Sequence, residues 1–380
     1  YYTPAYIVNY IVHNTIGKQI EGKSPADLAG GKTKQPFRVL DMACGSGSFL
    51  LGAYQALLDH CLKWHQANPS PKHAKAVYQN AKGETRLAIA ERKRILTTHI
   101  YGVDIDRQAV ETTKLSLLLK ALEGENDASL SQQMTLFHER ALPNLSHNIK
   151  CGNSLIASDF SMVPEDLVRV RAFDWPTQFP DAMKAGGFDA VIGNPPYGMP
   201  DDEIETRYFS QRYSESEGRF DHYELFVLKG LQLCKPRGLF GFIIPSPFLT
   251  NLYTRWLRRS IKKDHEIVEI TNFGMDVFDQ PTVHTCILVI AAKSKQTRKV
   301  RVRKQVKNPD QLFQPCDFEV NIDSLTANAN LVFDIFVDPQ TRLILDKMEG
   351  AADPLSAVAH IRQCIKTGND TEYVKEYSID

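Results

Sequence analysis

The sequence predicts an α/β protein built on a doubly wound, mostly parallel sheet of the Rossmann-like kind, with an antiparallel hairpin at one edge. Three observations carry that expectation. Short apolar runs that suit buried strands alternate with longer helical patterns. The glycine turn Gly45-Ser46-Gly47 joins the first such strand directly to an apolar helix. A later strand, Phe188 to Gly193, delivers Asn194-Pro195-Pro196-Tyr197 at its carboxyl end.

The elements follow in order. Pro4, with Thr3 as cap, predicts a helix over 5–16. Phe37 to Met42 reads as a strand and 49–64 as an apolar helix, which the prolines of 68–72 end. A charged helix is expected over 84–97, a strand over 100–103, and a helix from Asp106 as cap to Leu119. Asn148 to Lys150 is a third strand-like segment. Strands at 188–192, 238–244 and 265–271 alternate with helices at 222–234 and 248–262. Residues 283–291 and 299–306 are expected to pair antiparallel through a turn over 293–298, and 343–349 reads as helical.

Composition narrows the classes. With 380 residues the chain holds one α/β domain of about 250–300 residues and part of another. Its 45 basic and 45 acidic residues cancel, so nucleic-acid binding must rest on local patches. The seven cysteines include no C-x-x-C pair, which argues against a zinc cluster or disulfide framework and suits a reducing cytoplasm. No metal site is expected, and no apolar run approaches the length of a membrane helix. The opening Tyr1-Tyr2-Thr3-Pro4, without Met, reads as part of a longer protein.

Asn194 to Tyr197 is the most chemical segment. A residue before proline is pushed out of the helical region, so Asn194 and Pro195 are held extended and the loop is stiff. The Asn194 side-chain oxygen and the Pro195 carbonyl then suit one exocyclic NH2, whose hydrogens they would draw aside, and Tyr197 offers a flat face to a planar base. Read alone, the same residues are a simple turn. At Asp41 to Phe49 the dinucleotide fingerprint is broken, because Leu50 stands where its third glycine belongs, so NAD or FAD is not expected. Asp104 ends the next strand where a carboxylate partners ribose hydroxyls, and Asp106 is better placed as the helix cap. Asn153 suits either a turn or the edge of an adenine.

Taken in order, these segments resemble the gamma class of S-adenosylmethionine-dependent, adenine-specific DNA methyltransferases, most closely the modification part of Type IIG and Type I restriction–modification proteins. Tyr1 to Pro4, Asp41 to Phe49, Gly102 to Asp106, Gly152 to Ser154 and Asn194 to Tyr197 are similar to the family motifs, and the resemblance covers about residues 1–300. It implies that Asn194, Pro195, Pro196 and Tyr197 are catalytic. Thr3 and Asp41 would hold the methionine end of S-adenosylmethionine, with Ala43, Cys44, Gly45 and Gly47 in the loop against it. Asp104 and Ile105 would take the ribose side, Asn153 and Ser154 the adenine amino group, and Pro196 with Phe226 the adenine ring. Phe278, in Val277-Phe278-Asp279-Gln280-Pro281, would stack on the extruded base opposite Tyr197.

The implied reaction is direct methyl transfer to adenine N6 in double-stranded DNA, in a bacterial or archaeal cytoplasm, as part of a restriction–modification or phage-defence system. A cytosine C5 enzyme would need a Pro-Cys nucleophile, and the one Pro-Cys pair, at Cys316, lies outside the expected catalytic domain. Arg255, Arg258, Arg259, Lys299, Arg301 and Arg303 are expected either to bind phosphates or to form solvated faces. Residues 1–310 are read as the methyltransferase domain. Residues 311–380 are read as a linker and the truncated start of a target-recognition domain, with any nuclease and the rest of that domain outside the chain. Protein glutamine or RNA methyltransferases, and a catalytically silent DNA-binding subunit, are the rival readings.

Overall fold

The computed structural model describes residues 3–31, 35–71, 75–80, 82–124, 143–200, 202–213, 216, 220–274, 284–293, 299–328, 330–353 and 355–359. Phe278 and its segment, and the expected entrance to a recognition domain at 361–370, lie outside the described residues.

Helix α1 (Ala5–Val12) leads into strand β1 (Val39–Asp41) and the long helix α2 (Ser48–Ala67). A two-stranded ribbon follows, β2 (Val77–Gln79) against β3 (Thr85–Leu87), so the helix expected from residue 84 begins only at α3 (Ile89–His99). Then come β4 (Ile100–Asp104), α4 (Arg107–Leu122), β5 (Ile149–Cys151) and β6 (Phe188–Gly193). Helices α5 (Glu203–Arg212) and α6 (His222–Leu233) precede β7 (Cys234–Pro245). Helix α7 (Arg255–Asp264), β8 (His265–Phe273), β9 (Thr285–Ala292), β10 (Val300–Val306) and β11 (Phe318–Val320) complete the sheet.

The nine strands run in the order β11-β10-β8-β9-β7-β6-β1-β4-β5. Strands β5, β4, β1, β6 and β7 are mutually parallel, while β9 is antiparallel to both β7 and β8. The expected pairing of 283–291 with 299–306 does not form. Strand β8 lies between them, β10 runs parallel to β8, and the antiparallel edge pair is β10 with β11. Side chains alternate across the central strands. Val39, Ala190, Ile192, Ile243, Ile287 and Val289 join α1 and α2 on one face, and Leu40, Val191, Phe242, Ile244, Leu288 and Ile290 join the opposite core. The chain order turns at β1, with β4 and β5 on one side and β6 and β7 on the other, and such a switch point leaves a crevice at the strands' carboxyl ends.

Two expectations near the N-terminus change. The N-cap of α1 is Pro4, without a side-chain bond, and Thr3 turns instead toward Asn194. After Val12 the helix widens into a π-turn, His13–Gly17. The first compact unit runs to Phe336, so 311–336 packs with the sheet. The second unit, from Val337, contains α8 (Pro339–Ala351), on which Arg342 pairs with Asp346 and Glu349. No helix among the described residues is long and apolar enough to cross a membrane.

Strand β8 buries Glu269 fully, between Arg301 (2.7 Å) and Arg303 (3.2 Å) of β10, where it also accepts from Tyr10 of α1 and from Thr271. Removing one member of a buried ionic network strands the others. Glu269→Ala is therefore expected to cost about 3–5 kcal/mol of folding stability in urea titrations; a cost under about 1 kcal/mol would mean that water takes over the freed cations.

Candidate active site

The carboxyl ends of β1, β4, β5 and β6 border a cavity of about 590 Å³. From the residues singled out by sequence, Ala43, Gly45, Asp104, Ile105, Asn153, Ser154, Asn194, Pro195, Pro196, Tyr197 and Phe226 line it. Cys44 and Asp41 are buried and, with Gly47 and Thr3, stand behind the wall.

The glycine loop is tied to the next strand. Gly45 donates its N–H to Asp104 Oδ2 at 2.7 Å, and Cys44 N bonds the Val103 carbonyl. Gly45 and Gly47 have φ of +52° and +90°, which glycine adopts without strain. A Cβ at Gly45 would meet nothing within 4 Å, whereas one at Gly47 would press on Thr113 at 3.0 Å. Thr113 Oγ1 in turn donates to the Gly45 carbonyl. The other Asp104 oxygen accepts from Asp106 N, and Asp106 caps α4, as expected. Asp104 is thus held by main-chain N–H groups on both oxygens, each with a lone pair to spare. Asn153 Oδ1 accepts from Leu155 N, the turn arrangement, while the residue still faces the cavity. Ser154 spends its hydroxyl on the Met42 carbonyl.

At the end of β6 the Asn194 amide is fixed from both sides. Its Nδ2 donates to Thr3 Oγ1 at 3.2 Å, and its Oδ1 accepts from Tyr197 OH at 2.8 Å. One Oδ1 lone pair therefore remains. The Tyr197 ring meets Tyr223 edge-on at 6.2 Å, and its burial raises the phenol pKa. The following turn is clamped to the start of α6. Asp221 accepts from Gly198 N at 2.9 Å, and the His222 ring bonds the Gly198 carbonyl at 2.8 Å.

Several lining residues had no place in the sequence reading, Arg169, Val170, Glu205 and Phe209 among them. They come from the stretch between β5 and β6 and from α5, where no motif marks them, while His222, which the sequence suggests as structural, also lines the cavity. The cationic expectations divide. Arg258 is fully buried and bonds main-chain carbonyls, and Arg301 and Arg303 are paired with Glu269, so these three do not present free charge to phosphates. Arg259 and Lys299 are exposed and Arg255 is half-buried. The spacing of the three corrected residues resembles a solvated face only because it does not show which strand or turn covers them.

Asp41 accepts from Ala43 N, and Gly193 leaves it room, since a Cβ there would come within 2.9 Å of Asp41 Oδ1. Burial, with the Asp104 charge as a lesser cause, pushes the Asp41 carboxyl up to about 8. An unfolded aspartate titrates near about 4, so between the two values the unfolded chain binds fewer protons, and stability falls as pH rises. Relative to Asp41→Asn, the unliganded protein should lose stability from pH 5 to 8, by at most about 1.4 kcal/mol per unit, and level off above. Parallel urea curves across that range would sink the assignment.

Residues 98–278 match the family model of the Eco57I restriction-modification methylase. The chain is 30% identical over 295 residues to the Type II restriction enzyme and methyltransferase RM.Eco57I of Escherichia coli, covering 76% of this chain and 27% of that protein. It is also 30% identical over 284 residues to the Type II methyltransferase M.BstVI of Geobacillus stearothermophilus, covering 72% of this chain and 41% of that one. The chain thus spans well under half the length of these relatives. A nuclease-deletion form of the Type ISP restriction-modification enzyme LlaGI, solved with a DNA substrate mimic, shares the fold with a TM-score of 0.54 at 15% identity, over 80% of this chain and 24% of that one. With its Rossmann-like sheet and its Asn194-to-Tyr197 turn, the chain is thus similar over residues 98–278 to the Eco57I restriction-modification methylase family.

Proposed function

We propose that this chain is the modification part of a restriction–modification protein and methylates the N6 amino group of an adenine turned out of double-stranded DNA. The observation that carries the reading is the Asn194 amide, held between Tyr197 and Thr3 in the lining of the cavity with one acceptor lone pair left. That acceptor and the Pro195 carbonyl suit the two hydrogens of one exocyclic amine. Binding them would draw the hydrogens out of the ring plane and localise the nitrogen lone pair for attack on the methyl, the thioether of the donor leaving and one amine proton passing to solvent. Tyr197, with Phe278, would take the faces of the base.

The lining suits S-adenosylmethionine. Gly45 keeps clear a space that a side chain would enter, Asp104 offers carboxylate oxygens for hydroxyls, and Ile105, Leu155, Val170 and Phe226 are apolar enough for a purine. Bound there, the group would supply an electrophilic methyl on a sulfonium. Asp104 and Ile105 would hold its ribose side, Asn153 the adenine edge, and Pro196 with Phe226 the ring. Asp41 and Thr3 would stand behind the wall at its amino-acid end. The catalytic contribution of the protein is positioning of the amine in a site with restricted water.

We read the methyltransferase unit as extending to residue 336, with a target-recognition region beginning beyond it and any nuclease outside the chain. The decisive experiment incubates the protein with labelled S-adenosylmethionine and unmethylated DNA, with protein and RNA controls, and identifies labelled nucleosides by mass spectrometry. N6-methyladenine is expected; label in a control instead would select a rival reading.

Two substitutions separate the roles. Asn194→Ala should abolish transfer and leave S-adenosylmethionine affinity within a few-fold. Asp104→Ala should weaken that affinity by about 10-fold or more, the worth of a hydrogen bond to a charged group. Equal effects of the two on both quantities would overturn the division.

A further inference from the structure

Between β7 and α7 the chain makes two tight turns, Ser246–Leu249 and Leu252–Thr254. They are braced from within by Arg258, which is fully buried. Its guanidinium donates to the carbonyls of Phe248 (2.7 Å), Asn251 (2.8 Å), Leu331 (2.7 Å) and Asn330 (3.1 Å). Thr254 Oγ1 donates to the carbonyls of Phe248 and Asn251, Asn251 Oδ1 accepts from Tyr253 N, and Phe333 N donates to the Leu249 carbonyl. Leu331 adopts φ of +51°, an unusual conformation for leucine, with its carbonyl on Arg258. A buried cation satisfied by main-chain oxygens is a costly device, and its effect is a turn with one shape.

The tip of that turn points two large side chains outward. Leu252 is 61% exposed and Tyr253 is 55% exposed, so neither contributes much to the core. Strands β6 and β7 are parallel, which brings this turn to the same edge of the sheet as Asn194, and Tyr197 OH reaches the Ile243 carbonyl near the end of β7 at 3.4 Å. Just beyond the tip, α7 carries exposed Arg259 and Lys263, four residues apart on one helical face.

We propose that Leu252 and Tyr253 form a pre-set wedge that enters duplex DNA beside the target adenine and holds the base step open. The proposal rests on the reading of Asn194 as the residue that receives a DNA base. Apolar side chains that part a base step, beside cations that grip the phosphates, are the chemistry of DNA-kinking proteins. A turn already fixed by Arg258 loses little entropy when it inserts, so more of the contact energy goes into opening the stack.

The test compares the 380-residue chain, the Leu252→Ala/Tyr253→Ala double variant, and Met162→Ala as a control at a side chain that is 99% exposed elsewhere. Each is bound at saturation, set by anisotropy, to a relaxed closed plasmid, which topoisomerase then treats to record any unwinding as a change in linking number. Methyl transfer to the same plasmid is measured separately. The chain and Met162→Ala are expected to shift the linking number equally. The double variant should lose the shift and about tenfold in kcat/KM. A plasmid methylated by the unaltered chain, with no shift or with the same shift for the double variant, overturns the wedge and leaves the reading of Asn194 standing. A plasmid that is neither methylated nor unwound overturns both.

Discussion

The side-chain amide of Asn194 is held at both ends by two partners, and much of the molecule serves to bring those partners there. Tyr197 OH donates to its Oδ1, and its Nδ2 donates to Thr3 Oγ1. Tyr197 is three residues on in a proline-stiffened loop, so its approach is local. Thr3 is not local, and its position depends on α1. That helix lies across the sheet, and Tyr10 reaches the buried Glu269 of β8, which Arg301 and Arg303 of β10 also grip. The network at the far strands thus anchors the helix that follows Thr3.

The same economy of main-chain partners appears around the cavity. Asp104 bonds Gly45 N and Asp106 N, joining the loop after β1 to the turn after β4, so the two loops cannot open independently. Asp221 and His222 do the equivalent for Gly198, securing the far side of the Asn194 loop to α6. These are charge-assisted or backbone hydrogen bonds; the one from Gly45 to Asp104 is partly buried and the others are exposed. A site that works by orientation needs such supports more than it needs a strong acid or base.

The parts of the candidate site that were legible in the sequence are those built from chain neighbours. Asn194 to Tyr197, and Ala43 with Gly45, line the cavity from strand-to-turn segments in which each group shares one loop. The cap at Asp106 was equally readable, since an N-cap acts within its own helix. Illegible were the contacts that cross the fold. Thr3 looked like a helix cap because its chain neighbour is Pro4, yet its hydroxyl meets Asn194 far along the chain. The segments 283–291 and 299–306 looked like a hairpin because they adjoin in sequence, and β8 separates them in the sheet. Arg169, Glu205 and Phe209 reach the cavity from stretches with no motif of their own.

Arginine makes the limit clearest. Arg255, Arg258 and Arg259 fall within five residues on one helix, and composition treats them alike. On a helix, however, neighbours one apart point in different directions, and 3.6 residues per turn puts Arg258 toward the core while Arg259 meets solvent. Burial of Arg258 is sustained because the turn before α7 and the residues around Leu331 supply main-chain carbonyls to its guanidinium. Its charge is thereby spent inside the protein, on the shape of a surface turn, and any grip on phosphate is left to the cations that face outward. A basic stretch thus does two different jobs, and only the carbonyls around each guanidinium tell them apart.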